Sequence, residues 1–373
     1  MSDGARADPA LGPRRALGLV RALCTACAVT ACGGASSELT PKEAAAERAY
    51  AAGRYLEAAE RFSESARASS KRRDREEARY RQAMSFERAG RPADERAVLA
   101  ELLREYPDGT RAPRAMYDLA RLDIRQGRAE DGYRALGELL RRYPESGLAP
   151  AALHACAEQR LGEGGEKAVQ SYLEELAPAV VTTRLAEYVD YEHARSRERA
   201  GDLADARDEY LRLAERFPYP RGVFWDDALY RTGELYAALG APRDAIAVFE
   251  RLLAEREPSF LQGSYERGRY AEAAFRVAEL YRDALHDPAR ARLAFERFFV
   301  AYPTSRLRDD AAFSAARLAL SAGDRDGACR LVRSLVASSP ESRYVACAPA
   351  LCPAVHTPPR TGPCHDYLLR TSP

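Results

Sequence analysis

Between residues 40 and 342, apolar side chains recur at helical spacing and one residue marks the beat. Gly53, Gly90, Gly127, Gly164 and Gly201 fall 37 residues apart; Gly240 follows after 39, His286 after 46 and Gly323 after 37. Nine positions beyond each stands a large apolar or aromatic residue: Phe62, Leu99, Leu136, Leu173, Tyr210, Phe249, Phe295 and Val332. Seven positions before most of them stands a small one, as Ala46, Ala83, Ala120, Ala157, Ala194, Gly233 and Ala316. Glu279 breaks that rule in the seventh unit, where Ala278 lies beside it. A fixed period of this length marks a repeat architecture in which each unit is one supersecondary element.

Each unit predicts two helices. The first, rich in Ala, Leu, Arg and Glu, runs to the glycine, which takes the left-handed C-cap conformation without steric cost. The second starts within two residues, with Asp202, Asp287 and Asp324 placed as N-caps and Pro92, Pro242 and Pro288 at the first helical position. It ends before Pro107, Pro144, Pro218, Pro258, Pro303 or Pro340, because proline cannot continue a helix. The first unit opens on Thr40-Pro41-Lys42-Glu43, a capping box. Small residues on the first helix let the second cross closely, and the large residue fills the gap between them. One pair cannot bury its apolar stripe alone, so stacked neighbours share a core. The expected fold is all-α, a solenoid of about eight helix pairs over residues 40–342, with a tail over 343–373.

The run Gly53-Arg54-Tyr55-Leu56-Glu57-Ala58, followed by Phe62, resembles the turn and second helix of the tetratricopeptide repeat. Most units also carry that family's terminal proline. The family period is about 34 residues, and these units lengthen it after the proline, as in Tyr143-Pro144-Glu145-Ser146 and Tyr302-Pro303-Thr304-Ser305. This Tyr-Pro-x-Ser form is similar to the repeats of envelope lipoproteins such as the lipoprotein subunit of the β-barrel assembly machinery and the Tol-Pal-associated periplasmic repeat protein. The resemblance implies a right-handed superhelix whose inner groove takes protein partners, without cofactor or catalysis. Two departures stand out. Unit four has Pro178 ahead of register and a loose turn, Gly162-Glu163-Gly164-Gly165. An insertion over Ser259–Tyr270 carries Phe260, Tyr265 and Tyr270 and is either a binding loop or a tolerated surface loop.

Residues 1–31 carry Arg6, Arg14, Arg15 and Arg21, then the uncharged run Ala22 to Ala31, and then Cys32. That is a positive n-region and an apolar h-region too short to span a bilayer. The junction Val29-Thr30-Ala31-Cys32-Gly33-Gly34 resembles a bacterial lipobox. It implies a signal peptide over 1–31, a diacylated Cys32 and a tether over 32–39 reaching at most about 25 Å. Gly33, where an Asp would favour the inner membrane, points to the outer one. An N-terminal helix with an incidental Cys32 is the alternative.

Cys329, Cys347, Cys352 and Cys364 cluster in the last 45 residues, where Pro349, Pro353, Pro358, Pro359 and Pro363 forbid regular helix beyond the final repeat. In an oxidising envelope they imply two disulfides, with three connectivities open, pinning the tail over the last repeat as a cap. A zinc site with His356 or His365 is the rival, although Cys347-x4-Cys352-x3-His356 fits no standard finger. Cys156 reads as a small buried residue.

A candidate binding surface follows from the register. Ten residues before the marker, the first helices carry Tyr80, Tyr117, His154, Tyr191, Tyr230, Arg276 and Phe313, with Arg121, Arg125, Arg195 and Arg199 beside them. Such a row suits an amphipathic or extended peptide; packing of the rings against the neighbouring repeat is the competing reading. Only Lys42, Lys71 and Lys167 are lysines among 57 basic residues, balanced by 56 acids to a net charge of +1, which gives no global footprint for nucleic acid. No GxGxxG, HExxH or GxSxG occurs, and Gly162-x-x-Gly165-x-Lys167 has the wrong spacing for a phosphate loop. The expected function is a non-enzymatic periplasmic scaffold lipid-anchored to the outer membrane, with outer-membrane protein assembly as the leading process. An accessory factor of division or peptidoglycan machinery is the alternative.

Overall fold

A computed structural model describes residues 41–255, 268–356 and 362–370. The signal peptide, Cys32, Thr40 of the capping box and most of the Ser259–Tyr270 insertion lie outside them. The described residues form helices and no strand, and none of those helices is long and apolar enough to cross a membrane. They group into two compact units that divide between Leu122 and Asp123.

The first unit holds α1 (Pro41–Ala51), α2 (Tyr55–Ala68), α3 (Arg72–Arg88), α4 (Pro92–Glu105) and the start of α5 (Ala112–Arg125). The second holds the end of α5, then α6 (Ala129–Arg142), α7 (Ala149–Val180), α8 (Leu185–Ala200), α9 (Leu203–Arg216), α10 (Trp225–Ala238) and α11 (Pro242–Ala254). It continues with α12 (Arg269–Glu279), α13 (Pro288–Ala301), α14 (Arg308–Ser321), α15 (Arg325–Ser338), α16 (Ala348–Leu351) and α17 (Asp366–Arg370). The fold is an all-α solenoid of helix pairs, and the register explains its packing. All eight residues nine past the marker are buried to 1% exposure or less. Phe249 shows why the partner position must be small: a Cβ on Gly233 would lie 2.5 Å from its Cε1.

Gly53, Gly90, Gly127, Gly201, Gly240 and Gly323 all take positive φ. In unit four the left-handed residue is Gly165 (φ 67°), one later than the 37-residue beat places it; with Gly164 it divides α7 into the two helices of a pair. His286 does a glycine's work at φ 51°. It follows a π-helical turn, Leu280–Ala284, in which Leu285 N–H donates to Leu280 O at 2.9 Å. The extra residue in that turn shifts the register by one, so Ala278, fully buried, takes the small position that Glu279 does not fill. Asp287 and Asp324 cap their helices by accepting from Arg290 N (2.9 Å) and Gly327 N (2.8 Å). Asp202 occupies the same position without a side-chain cap.

First helices are capped from the preceding repeat instead. Glu187 Oε1 accepts from Phe224 N at 2.7 Å, Glu145 Oε1 accepts from Arg184 N at 3.0 Å, and Glu76 accepts from Arg111 N. Each carboxylate satisfies a donor at a helix start, where backbone N–H groups lack intrahelical partners. Glu187 is buried, so Glu187→Ala should cost about 1–3 kcal/mol. Urea unfolding of the pair Glu187→Ala and Glu187→Gln measures this, the Gln variant retaining an acceptor and hence part of the stability.

Beyond α15 the tail folds back onto the last repeat. Tyr344, Cys347, Leu351, Cys352, Val355 and Leu368 share one core with Phe313, Ala316, Val332 and Leu335. Cys329 is bonded to Cys352 and Cys347 to Cys364, an interlaced pairing that occupies all four sulfurs of the proposed zinc alternative. The prolines do not exclude helix here: Pro349 sits in the first turn of α16, where its missing N–H costs nothing.

Candidate functional site

The aromatic row of the first helices divides into buried and half-exposed members. In the first compact unit Tyr80 is buried, its hydroxyl donating to Asp118 Oδ2 at 2.9 Å while the Arg111 guanidinium lies 5.1 Å from its ring centroid. Burial first, and the Asp118 charge second, raise its phenol above the ordinary value. Tyr117 is half-buried, with exposed Arg121 over its ring at 5.9 Å.

In the second compact unit Tyr191 is buried and stacks on Phe224 with centroids 4.0 Å apart. Its hydroxyl donates to Asp227, and burial, then that carboxylate, push its phenol up to about 12. Asp227 is a hub. Arg231 Nε donates to it at 2.7 Å and Arg269 Nε at 2.6 Å. Arg231 also reaches Glu198 Oε2 at 3.0 Å, which accepts from the hydroxyl of buried Tyr210 at 2.9 Å. Arg269 lies over the half-buried Tyr230 ring at 4.9 Å. Phe313 is buried and stacks on Tyr344 of the tail at 4.2 Å.

The arginines beside the row differ in the same way. Arg195 donates to Glu192 at 2.9 Å, and Arg199 grips both oxygens of Glu166 at 2.6 and 3.0 Å. Arg199 is the main cause of a Glu166 carboxyl held below its ordinary value. Arg125 is exposed and makes no ion pair among the described residues. Three rings of the row, Tyr80, Tyr191 and Phe313, thus pack inside the fold, while Tyr117 and Tyr230 keep exposed edges. Their acidic partners Asp118 and Asp227 were not singled out from sequence. An acid fourteen residues before the marker does recur, at Glu76, Glu187, Asp226, Glu272 and Asp309; it marks the Glu76 and Glu187 caps, whereas Asp118 and Asp227 stand at other registers, nine and thirteen before their markers.

Burial raises the Asp227 carboxyl, but Tyr191, Arg231 and Arg269 outweigh it and hold it below the ordinary value. Its contribution to stability is therefore present above the unfolded-state value and lost as pH falls through the folded one. Asp227→Asn should cost about 2 kcal/mol at neutral pH, and the gap to the parent should close in acid; denaturant unfolding at both pH values checks it.

A second cluster surrounds His193 in a cleft of about 340 Å³ lined by α7, α8 and α9. Its Nδ1 lies 2.8 Å from Glu209 Oε2; its Nε2 is 3.4 Å from Glu174 Oε1 but out of line for a hydrogen bond. Asp190, Arg212 and Arg216 line the same cleft, and Arg197 Nε approaches Glu209 at 2.7 Å. Glu209 raises the imidazole above its ordinary value against the opposing effect of burial. The imidazolium therefore adds stability that is fully present below the unfolded value, about 6.5, and lost as pH rises through the folded one. Parent protein should lose stability between pH 6 and 8 relative to His193→Gln, as thermal midpoints across that range will show. Among the described residues no three His, Cys, Asp or Glu side chains gather as a metal site.

A tetratricopeptide-repeat profile matches residues 43–110 and 191–260, and a second matches residues 114–146. No curated protein sequence matches the chain. Among solved structures it is similar to the C-terminal part of a TPR repeat-containing protein from Cytophaga hutchinsonii, at 13% identity over 72% of this chain and 98% of that one, with a TM-score of 0.45. It is similar too to PilF of Pseudomonas aeruginosa, at 19% identity over 62% and 93%, TM-score 0.37. PilW, a type IV pilus biogenesis factor, is similar at 15% identity over 63% and 97%, TM-score 0.37.

Proposed function

We propose that this tetratricopeptide-repeat protein is a non-enzymatic scaffold, held at the periplasmic face of the outer membrane by lipid on Cys32, that binds protein partners on its first-helix face. The observation that carries the binding role is the row of repeats whose first helices place half-exposed Tyr117 and Tyr230 beside arginines, Arg121 and Arg269, lying over their rings. Arginine and tyrosine in this arrangement are the side chains that most often anchor protein interfaces. Two disulfides at the C-terminus support an oxidising compartment, which agrees with the lipobox-like junction at Cys32. Assembly of outer-membrane proteins is the process we favour, on the Tyr-Pro-x-Ser form of the repeats. An accessory role in division or peptidoglycan machinery rests on the same feature and is the second reading.

Cross-linking in intact cells followed by mass spectrometry separates them. Barrel-assembly components should be recovered under the first reading and Tol-Pal or wall-synthesis proteins under the second; recovery of neither refutes both. Cys32→Ala should move the protein from the membrane fraction to the soluble one, and an unchanged distribution refutes the anchor.

A further inference from the structure

The seventh and fourteenth positions past each marker residue lie on the outer side of the second helices. They are Glu60 and Arg67 in the first repeat, Arg134 and Arg141 in the third, and Asp208 and Glu215 in the fifth. No repeat but the seventh carries a large apolar residue at either position. There they are Leu293 and Val300, 47% and 77% exposed. Leu293 also edges a groove of about 480 Å³ between α11, α12 and α13, whose apolar lining includes Leu253, Val277 and Phe298. Glu250 and Arg297 stand in the same groove, both exposed, and neither makes an ion pair with another described residue. Arg290, the other guanidinium there, is engaged by Asp287 at 3.5 Å.

We propose that this face pairs with the same face of a second copy of the chain in a two-fold dimer. A two-fold axis brings a patch against itself, so the patch must be self-complementary. An apolar stripe flanked by one unpaired acid and one unpaired base meets that condition: Arg297 of each copy faces Glu250 of the other while Leu293 and Val300 cover each other's grooves. A surface shaped for a basic or acidic foreign helix would instead present charges of one sign. The apolar centre supplies the association and the rim charges set its register.

Sedimentation velocity of the purified full chain, up to about 100 µM because a small interface of this kind is weak, should show a monomer–dimer equilibrium. Leu293→Glu combined with Val300→Glu should abolish the dimer, with the circular dichroism spectrum unchanged because both side chains are exposed. Glu250→Arg and Arg297→Glu should each weaken the dimer by at least tenfold, and the double reversal should restore it. A parent chain that stays monomeric, a dimer that survives the Leu293/Val300 variant, or a double reversal no better than either single change overturns the proposal.

Discussion

Replacing Cys329 and Cys347 by serine should detach the C-terminal tail and destabilise the last repeat by about 3 kcal/mol for each bond lost. The two bonds close loops with sequence separations of 23 and 17, and that loop-closure entropy sets the size of the effect. The consequence is local in the chain, since each repeat leans only on its neighbours. Phe313, Val332 and Leu335 lose the cover of Tyr344, Leu351 and Leu368, so α14 and α15 become the weak end of the solenoid. Limited proteolysis should therefore cut after α15 first, and the parent protein treated with reductant should reproduce both the cleavage and the drop in thermal midpoint. A midpoint that reductant leaves unmoved would show that apolar packing alone holds the tail.

Phe249→Ala should cost about 3–5 kcal/mol, because the ring is fully buried between α10 and α11 and the space left behind closes only in part. The opposite change at the facing position is also costly. Gly233→Ala drives a methyl into the ring at 2.5 Å, an overpacking worth about 1–3 kcal/mol. The two sites share one contact, so Gly233→Ala with Phe249→Leu should cost less than the sum of the two single changes. Urea unfolding of the four proteins reads the coupling directly; strict additivity would mean that the ring and the glycine do not touch.

That pair also shows what the sequence could and could not convey. The small position seven before the marker and the large one nine after it were legible because close helix crossing demands them in every unit. The periodicity therefore predicted the helix pairs and their buried residues. Unit seven shows the limit: Glu279 in the small position and Ala278 beside it were visible in the sequence, but the π turn before His286 that moves the small position to Ala278 depends on hydrogen-bond register, which residue type does not state.

The candidate site was less legible for a related reason. Tyr80, Tyr191 and Tyr230 share one register position, yet the first two are buried and the third is half-exposed. Their fate is set by what the next repeat brings, Asp118 for Tyr80, and Phe224 and Asp227 for Tyr191. The near balance of 57 basic and 56 acidic residues likewise said nothing about which arginines are spent on carboxylates and which are free. Arg199 is bound to Glu166, whereas Arg297 meets no described acid. By itself the sequence determined the repeat, its helix pairs and its core, because apolar periodicity and glycine or proline punctuation act within one unit. Only the tertiary structure decided the disulfide pairing, the caps passed between repeats and the split of the tyrosine row. Those depend on which side chains the stacking of one unit on the next brings within bonding distance.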